Sequence, residues 1–396
     1  MKILIVTSKI PYPPHRGDRL KIYNICRLLL KNNNIKILTF YRNEAELKDV
    51  EILKQNGFDI EAISLAFYKS VLNLNKAAYS SMPMQVSAFY SKQMHKKISE
   101  LTAKENYDVV YFHLLVIAQY LDAVKNKNIL KVLDFTDAIS LYFKRYIKFI
   151  SNPLKKIIFK VELNKTIKYE KIANKFDTVF VCSDADRKYL MQAQNIKNIQ
   201  LLLNGVDLET FSYVKTEPEE DRIIFVGNME YFPNVDAVFY FSNEIFPLIK
   251  KKRPSAKFYI VGKGASKRVL DLQSDSIIVK GFVDKLQEEY LISKVNVAPI
   301  RLGAGFPNKI IEALVLGVPT VASKTSFEGL PDELKEFVLP ADSPEDFADK
   351  VINVLQNDKF KIKLIEQGIN RIRETLSWEN IVNGFENYLK TQIAKN

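Results

Sequence analysis

Ala298-Pro299-Ile300-Arg301-Leu302-Gly303-Ala304-Gly305-Phe306-Pro307-Asn308-Lys309-Ile310-Ile311-Glu312-Ala313-Leu314-Val315-Leu316-Gly317-Val318-Pro319-Thr320-Val321 is the stretch that decides the fold. An apolar run at 295–299 ends, a loop with two glycines turns, and a helix opens near Pro307. A second apolar run follows at 318–322. Proline suits the first turn of a helix, where its missing N–H leaves no bond unmade. Strand, loop, helix and strand in that order are the unit of a parallel sheet. Lys309 and Glu312 are three apart and share one helix face near its N-terminus. An ammonium there suits a diphosphate. A charge-assisted hydrogen bond is worth about 1.5–3 kcal/mol, and the helix dipole adds about 0.3–1 kcal/mol. A carboxylate repels phosphate but accepts two hydrogen bonds from a ribose diol. Read blandly, the two form a surface ion pair worth only a few tenths of a kcal/mol.

The same alternation extends in both directions. Strand candidates lie at 2–7, 35–40, 59–64, 108–112, 130–134, 177–182 and 199–203, then at 222–226, 256–261, 276–279, 295–299, 318–322 and 336–339. Runs such as Ile223-Ile224-Phe225-Val226 are apolar throughout, as in a strand covered by helices on both faces. Residues 213–221 are polar, acidic and interrupted by Pro218, and read as a linker. The expectation is a first domain over 1–212, a second over 222–374, and a final helix over 375–396. In open parallel sheets, ligands bind at the carboxyl ends of the strands.

Composition narrows the function classes. The chain has 396 residues, 58 of them Lys or Arg and 46 Asp or Glu, for a net charge of +12. Its apolar fraction of 47% is enough for a large core. Two cysteines and three scattered histidines argue against a disulfide scaffold or a structural metal and for a reduced, cytoplasmic setting. Met1-Lys2 runs straight into Ile3-Leu4-Ile5-Val6, too short for an export signal, and no apolar run is long enough to span a membrane. The positive balance leaves nucleic acid, an anionic membrane surface and a phosphate-bearing substrate open. Residues 141–175 hold ten Lys or Arg and two Glu, a net +8, interleaved with aromatic and Ile residues. Such a segment fits a helix lying on an anionic leaflet, on the inner face of the membrane, or an outer helix whose charges are merely solvated. No zinc finger, RNA-binding signature or helix-turn-helix supports nucleic acid.

Two more loops follow strands. Thr7 is followed by Ser8-Lys9-Ile10-Pro11-Tyr12-Pro13-Pro14-His15-Arg16-Gly17-Asp18-Arg19 and then a helix. Gly17 permits close backbone approach to phosphate, Asp18 is a candidate N-cap, and the alternative is a proline-stiffened loop. Val261-Gly262-Lys263-Gly264-Ala265-Ser266-Lys267 departs from the dinucleotide fingerprint, because Lys267 takes the third glycine position and no acid closes 277–280. A glycine turn approached by a nucleotide, with Lys263 nearby, fits it better.

The chain resembles retaining, nucleotide-sugar-dependent glycosyltransferases of family 4, and among them the bacterial exopolysaccharide-type sugar transferases. The resemblance rests on Phe225-Val226-Gly227-Asn228-Met229-Glu230-Tyr231-Phe232-Pro233-Asn234-Val235-Asp236-Ala237, Ile260 to Gly264, Gly281-Phe282-Val283-Asp284 and Asn308-Lys309-Ile310-Ile311-Glu312-Ala313-Leu314. Asn204-Gly205-Val206-Asp207 and Trp378 also match. It implies an α/β, GT-B architecture: two Rossmann-like, doubly wound parallel-sheet domains facing across a cleft, with a C-terminal helix crossing back to the first. It also implies a nucleoside diphosphate sugar as donor, no cofactor or metal, and a glycan or lipid-linked acceptor. By that likeness Glu312 holds the ribose, the backbone near Phe282 and Val283 the base, and Gly17 approaches the phosphates. Gly227, Asn228, Gly305, Phe306 and Asn308 complete the donor side.

Two departures stand out. The family's first glutamate, eight positions before Glu312, is Ala304, and its Arg and Lys after the Gly227 strand are replaced by Asn228 and Pro233. A leaving diphosphate still needs cations, and Arg301 and Lys309 are the expected replacements. On the acceptor side Asp137, after Leu133-Asp134-Phe135-Thr136, and His113, after Val109-Val110-Tyr111-Phe112, are candidates to orient or deprotonate a hydroxyl. Asp137 could instead cap a helix. Asp184-Ala185-Asp186 mimics a metal-binding Asp-x-Asp, but Ser183 and Asp184 more simply cap the next helix. The alternatives are a GT-B epimerase or phosphorylase, and a non-catalytic basic surface-binding relative.

Overall fold

All thirteen expected strands form, and all pair in parallel. The computed structural model describes residues 1–14, 17–303 and 305–395, the side chains of residues 17, 18, 67, 69, 76 and 78 aside. The first sheet contains β1 (Lys2–Thr7), β2 (Asn34–Tyr41), β3 (Asp59–Ser64), β4 (Val109–His113), β5 (Leu130–Thr136), β6 (Thr178–Val181) and β7 (Ile199–Leu201). Their order is β3-β2-β1-β4-β5-β6-β7. The second contains β8 (Arg222–Val226), β9 (Lys257–Val261), β10 (Ile277–Gly281), β11 (Val295–Ala298), β12 (Thr320–Ser323) and β13 (Val338–Ala341), ordered β10-β9-β8-β11-β12-β13. Each order reverses once, between β1 and β4 and between β8 and β11. At such a reversal the loops leave on opposite faces and open a crevice at the strand ends.

Helices cover both sheets, and the apolar strands bury what their composition requires. In the first, Ile3, Ile5, Tyr111, Val132 and Phe180 pack with Trp378, Val382, Phe385 and Leu389 of the helix Trp378–Ile393. Burying one such side chain stabilises by about 1.5–3 kcal/mol, so this face fixes the last helix on the first unit. In the second, Phe225, Phe258 and Val297 pack with Phe241, Phe246 and Phe347.

The chain divides into one unit of Met1–Asn204 with Trp378–Asn396 and another of Gly205–Ser377. Residues 213–221, expected as a linker, are held on the second unit. The Glu219 amide donates to the Ile292 carbonyl at 2.9 Å, and its carboxylate takes Arg222 at 3.0 Å. A Cβ on Gly317 would lie 2.9 Å from the Tyr213 ring, so the ring seats against bare backbone. Val206 pairs with Ser377 as a single parallel bridge, which draws 205–212 and 375–377 onto that unit as well. The acidic composition reads as a solvated tether, but Glu219 answers Arg222, buried at the start of β8, and Asp221 answers Arg253.

Candidate functional site

In the second unit the reversal lies between β8 and β11, and the loops after both strands supply the predicted donor residues. After β11, Gly303 and Gly305 adopt φ of 156° and 91°, accessible to glycine and strained for other residues. Ala304 lies outside the described residues. Pro307 caps the helix Asn308–Val315, accepting from Ile310 N at 2.9 Å, so Lys309 and Glu312 occupy its first two turns. Both residues are only half-buried, yet their charged ends are strongly desolvated by the surrounding protein. Desolvation lowers the Lys309 pKa to about 7 against the pull of Glu312. Desolvation likewise raises Glu312 to about 7, opposed by Lys309 and by a hydrogen bond from Tyr290. The Tyr290 hydroxyl, on a wholly buried side chain, reaches the Lys309 carbonyl at 3.2 Å and Glu312 Oε2 at 3.5 Å.

Lys309 Nζ donates to Asn234 Oδ1 at 2.7 Å and stands 4.2 Å from the Phe225 ring centroid. Phe225 ends in the core of β8, and Asn234 lies in the helix Phe232–Tyr240 that follows it. The candidate donor corner is therefore built from both sides of the reversal. Arg301 requires a correction. Expected to face the diphosphate, it instead places Nε and Nη2 on Asp236 at 3.0 and 2.7 Å and stacks 4.3 Å over Tyr240. A two-point pair with a carboxylate commits both the fork and the charge of the guanidinium, so of the two expected cations Lys309 is the one left to face a diphosphate.

The glycine turn also reads differently in three dimensions. A Cβ on Gly262 would fall 1.9 Å from the Gly227 carbonyl oxygen, and one on Gly264 would fall 2.5 Å from Glu230 Cγ. The β8 and β9 loops touch backbone to backbone there, Met229 N donating to Lys263 O at 2.8 Å. These glycines admit a neighbouring chain segment, and that contact accounts for them without a ligand. Asn228 turns its Oδ1 to Glu230 N at 2.9 Å. Phe282 is exposed and Val283 half-buried, just past β10. Phe306 and Asn308 are half-buried at the helix entrance.

In the first unit, Thr7, His113 and Asp134 are level across β1, β4 and β5, since Thr7 registers with His113 and His113 with Asp134. His113 Nδ1 is 3.0 Å from Thr7 Oγ1, and the ring is 1% exposed. Asp134 receives Lys21 at 2.8 Å and the Tyr111 hydroxyl at 2.5 Å, wholly out of solvent. Burial opposes the Asp134 charge, but Lys21, His113 and Tyr111 more than offset it and hold the carboxyl below its usual range. Leu114 and Thr136, directly after or at the ends of these strands, have φ of 74° and 62°. A β-branched residue in that region is strained, and such strain collects at functional strand ends. Gly17 opens the helix Gly17–Leu29 with Asp18 in its first turn, so Asp18 follows the cap position. His15 and Arg16 lie outside the described residues.

Asp137 does not cap a helix. The helix Ile139–Tyr146 starts at Ala138 without a side-chain cap. Asp137 Oδ1 instead accepts from Cys182 Sγ at 3.1 Å. Burial, reinforced by the Asp186 carboxylate, raises its pKa to about 7, a value suited to exchanging a proton near neutrality. Ser183 caps the helix Asp184–Gln194, and Asp186 accepts the Ala138 amide at 3.1 Å, so the Asp-x-Asp look-alike serves local structure.

Residues 141–175 fold into the helices Ile139–Tyr146 and Pro153–Glu170 with short turns around them. Their aromatics turn on one another, with Phe143 and Tyr146 edge-on to Phe159 at 5.5 and 5.0 Å. Four aliphatics of the second helix do the opposite. Leu154, Ile157, Ile158 and Val161, spaced as one helix face, are 72%, 59%, 53% and 48% exposed. Among the described residues no helix is long and apolar enough to cross a membrane.

A family model described as "Glycosyl transferases group 1" matches residues 220–357. The match contains both halves of the candidate donor corner, Gly227–Asp236 and Arg301–Glu312. The chain is a glycosyltransferase. Over its length the enzyme is 24% identical to an uncharacterized 44.6 kDa protein in the cps region of Klebsiella pneumoniae, covering 90% of this chain and 91% of that protein. It is 23% identical to the poly(ribitol-phosphate) alpha-N-acetylglucosaminyltransferase of Staphylococcus aureus over 53% of this chain and 43% of that enzyme. In structure it matches the Anabaena protein HepE, solved in complex with UDP, at a TM-score of 0.70 and 13% identity, over 99% of this chain and 100% of that one. Two Rossmann-like sheets of seven and six strands give the glycosyltransferase its GT-B fold.

Sequence reasoning missed Asn234, Asp236 and Lys21 as partners of the site. Asn234 and Asp236 stood in a quoted motif, and the signal available was a polar residue on an otherwise apolar helix start. Lys21 carried no signal of its own.

Proposed function

We propose that this glycosyltransferase moves a sugar from a nucleoside diphosphate sugar, with retention and without a metal, to a glycan or lipid-linked acceptor of a bacterial surface polysaccharide. The observation that carries this reading is Lys309 and Glu312 on one face at the start of the Asn308–Val315 helix. Lys309 would neutralise charge on the leaving diphosphate as the glycosidic bond to it breaks. Glu312 would accept the ribose hydroxyls. Asp137 would take up the acceptor proton, its pKa of about 7 matching that task. HepE binds UDP and the Staphylococcus aureus relative transfers N-acetylglucosamine by name, which supports a uridine donor as the first to try. The cps-region relative supports a surface-polysaccharide role. Nucleotide binding by Lys309→Ala and Glu312→Ala, read by calorimetry, tests the site. Full affinity in both would refute it, and activity abolished by EDTA would refute metal independence.

We further infer that the enzyme works on the cytoplasmic face of an anionic membrane, where a lipid-linked acceptor resides. The exposed stripe Leu154, Ile157, Ile158 and Val161 would enter the headgroup boundary, with the lysines of 141–175 around it. Ile158→Asp should abolish flotation with vesicles containing phosphatidylglycerol, and binding should weaken with salt. Equal binding by Ile158→Asp, or none by the wild type, would reject this surface.

A further inference from the structure

Asn234 is 8% exposed, with both ends of its amide engaged. Its Oδ1 takes Lys309 Nζ at 2.7 Å, and its Nδ2 donates to the Asn228 carbonyl at 2.9 Å. The chemistry allows only this orientation. An ammonium has no lone pair to accept with, and a carbonyl has no hydrogen to donate, so a flipped amide would lose both bonds. Gly227 makes the room, since a Cβ there would fall 2.8 Å from Asn234 Cγ and Nδ2. The glycine after β8 thus serves the asparagine.

We propose that Asn234 is a positioning residue that aims the Lys309 ammonium at the donor diphosphate without itself neutralising the charge. This rests on the reading of Lys309 as the cation of the donor site. Arg301 shows the alternative at the same corner, where a carboxylate, Asp236, both aims a cation and neutralises it. An amide supplies the direction alone. Its dipole orients the ammonium through one charge-assisted hydrogen bond, and the Phe225 ring lies 4.2 Å from the ammonium, adding no formal charge. Among the described residues, Glu312 and Tyr290 are the titratable groups that face the pair, and Glu312 is turned toward the Tyr290 hydroxyl. An incoming diphosphate therefore meets a lysine held by a neutral amide rather than by a carboxylate. An aspartate at 234 would reverse this: it would pair with Lys309 and set a carboxylate against the Asn228 carbonyl.

UDP and inorganic pyrophosphate titrated into the full chain between pH 6 and 9 test the proposal, using wild type, Asn234→Asp, Asn234→Ala, Gly227→Ala and Lys309→Ala. In the wild type, affinity should fall as pH rises through about 7, where Lys309 loses its proton and the facing Glu312 gains its charge, because binding must then take up a proton. Asn234→Asp should weaken UDP about tenfold or more at pH 7 and move that alkaline fall to higher pH, because a carboxylate holds the lysine protonated. A purely structural role would not move the limb, and the titration of UDP itself is common to every variant. Asn234→Ala should weaken UDP without an upward shift. Gly227→Ala, which displaces the amide without removing it, should resemble Asn234→Ala and decides the question if the two Asn234 variants fail to melt cooperatively. If wild-type affinity and pH limb persist in the folded Asn234 and Gly227 variants while Lys309→Ala loses binding, the role of Asn234 is overturned and the donor site stands. If Lys309→Ala also binds as wild type, or the wild type binds neither probe, the reading of the site falls and the proposal with it.

Discussion

Two lysines sit near the strand ends of two parallel sheets, and the protein treats them in opposite ways. Lys21 is wholly buried and meets Asp134 at 2.8 Å, with both side chains out of solvent. Lys309 is half-exposed and meets an amide. The first charge is matched inside the fold and serves structure: it orders Asp134, which in turn receives Tyr111 and the Thr136 amide. The second is opposed by desolvation, which lowers the Lys309 pKa to about 7, and its hydrogen-bond partner is neutral. Residue type alone therefore does not separate a structural cation from a binding one, and the chemistry of the partner does.

Lys21→Met should break that contrast most severely. Removing one member of a buried pair leaves an uncompensated charge and costs about 3–5 kcal/mol, so thermal melting should drop sharply and many preparations should fail to fold. Lys309→Ala should do the reverse: melting close to wild type, and nucleotide affinity lower by about ten- to a hundredfold. Equal losses of stability in both variants would erase the distinction.

Asp137 sharpens the comparison from the acid side. Its folded pKa of about 7 lies above the ordinary 3.8, so the folded state holds a proton that the unfolded chain releases. The linked stability is full below about pH 4 and is lost as pH rises toward 7. Asp137→Asn should therefore melt a few degrees above wild type at pH 8, with the difference vanishing near pH 4, and should lose transfer activity at every pH. A variant destabilised at pH 8 would contradict the assignment. The smallest effect belongs to Arg301→Ala. With Asp236 as its partner, its loss should change UDP affinity less than threefold while lowering stability by about 1 kcal/mol, as for a partly exposed ion pair. A loss matching that of Lys309→Ala would return Arg301 to the diphosphate.

What could be read in advance follows from how local each signal is. Ile223-Ile224-Phe225-Val226 and its counterparts announce buried parallel strands by themselves, and all thirteen formed. The last was placed two residues early, because Glu336 and Phe337 close a 3-10 turn before Val338. Residues 213–221 read as a tether because acidic composition does not reveal a buried Arg222 answering it. Lys309 and Glu312 were legible from their spacing on one helix. Lys21 and Asn234 were not, for their partners lie 113 and 75 residues away. Gly262 and Gly264 were legible as special positions, but a glycine that admits a neighbouring backbone leaves the same trace as one that admits a nucleotide.

The central claim is that the Lys309 corner grips a donor diphosphate, and a crystal structure of the full chain with UDP tests it most directly. Phosphate oxygens should lie within hydrogen-bonding distance of Lys309 Nζ and the ribose at Glu312, with Arg301 still on Asp236. A nucleotide bound elsewhere, with Lys309 resting undisturbed on Asn234, would contradict it.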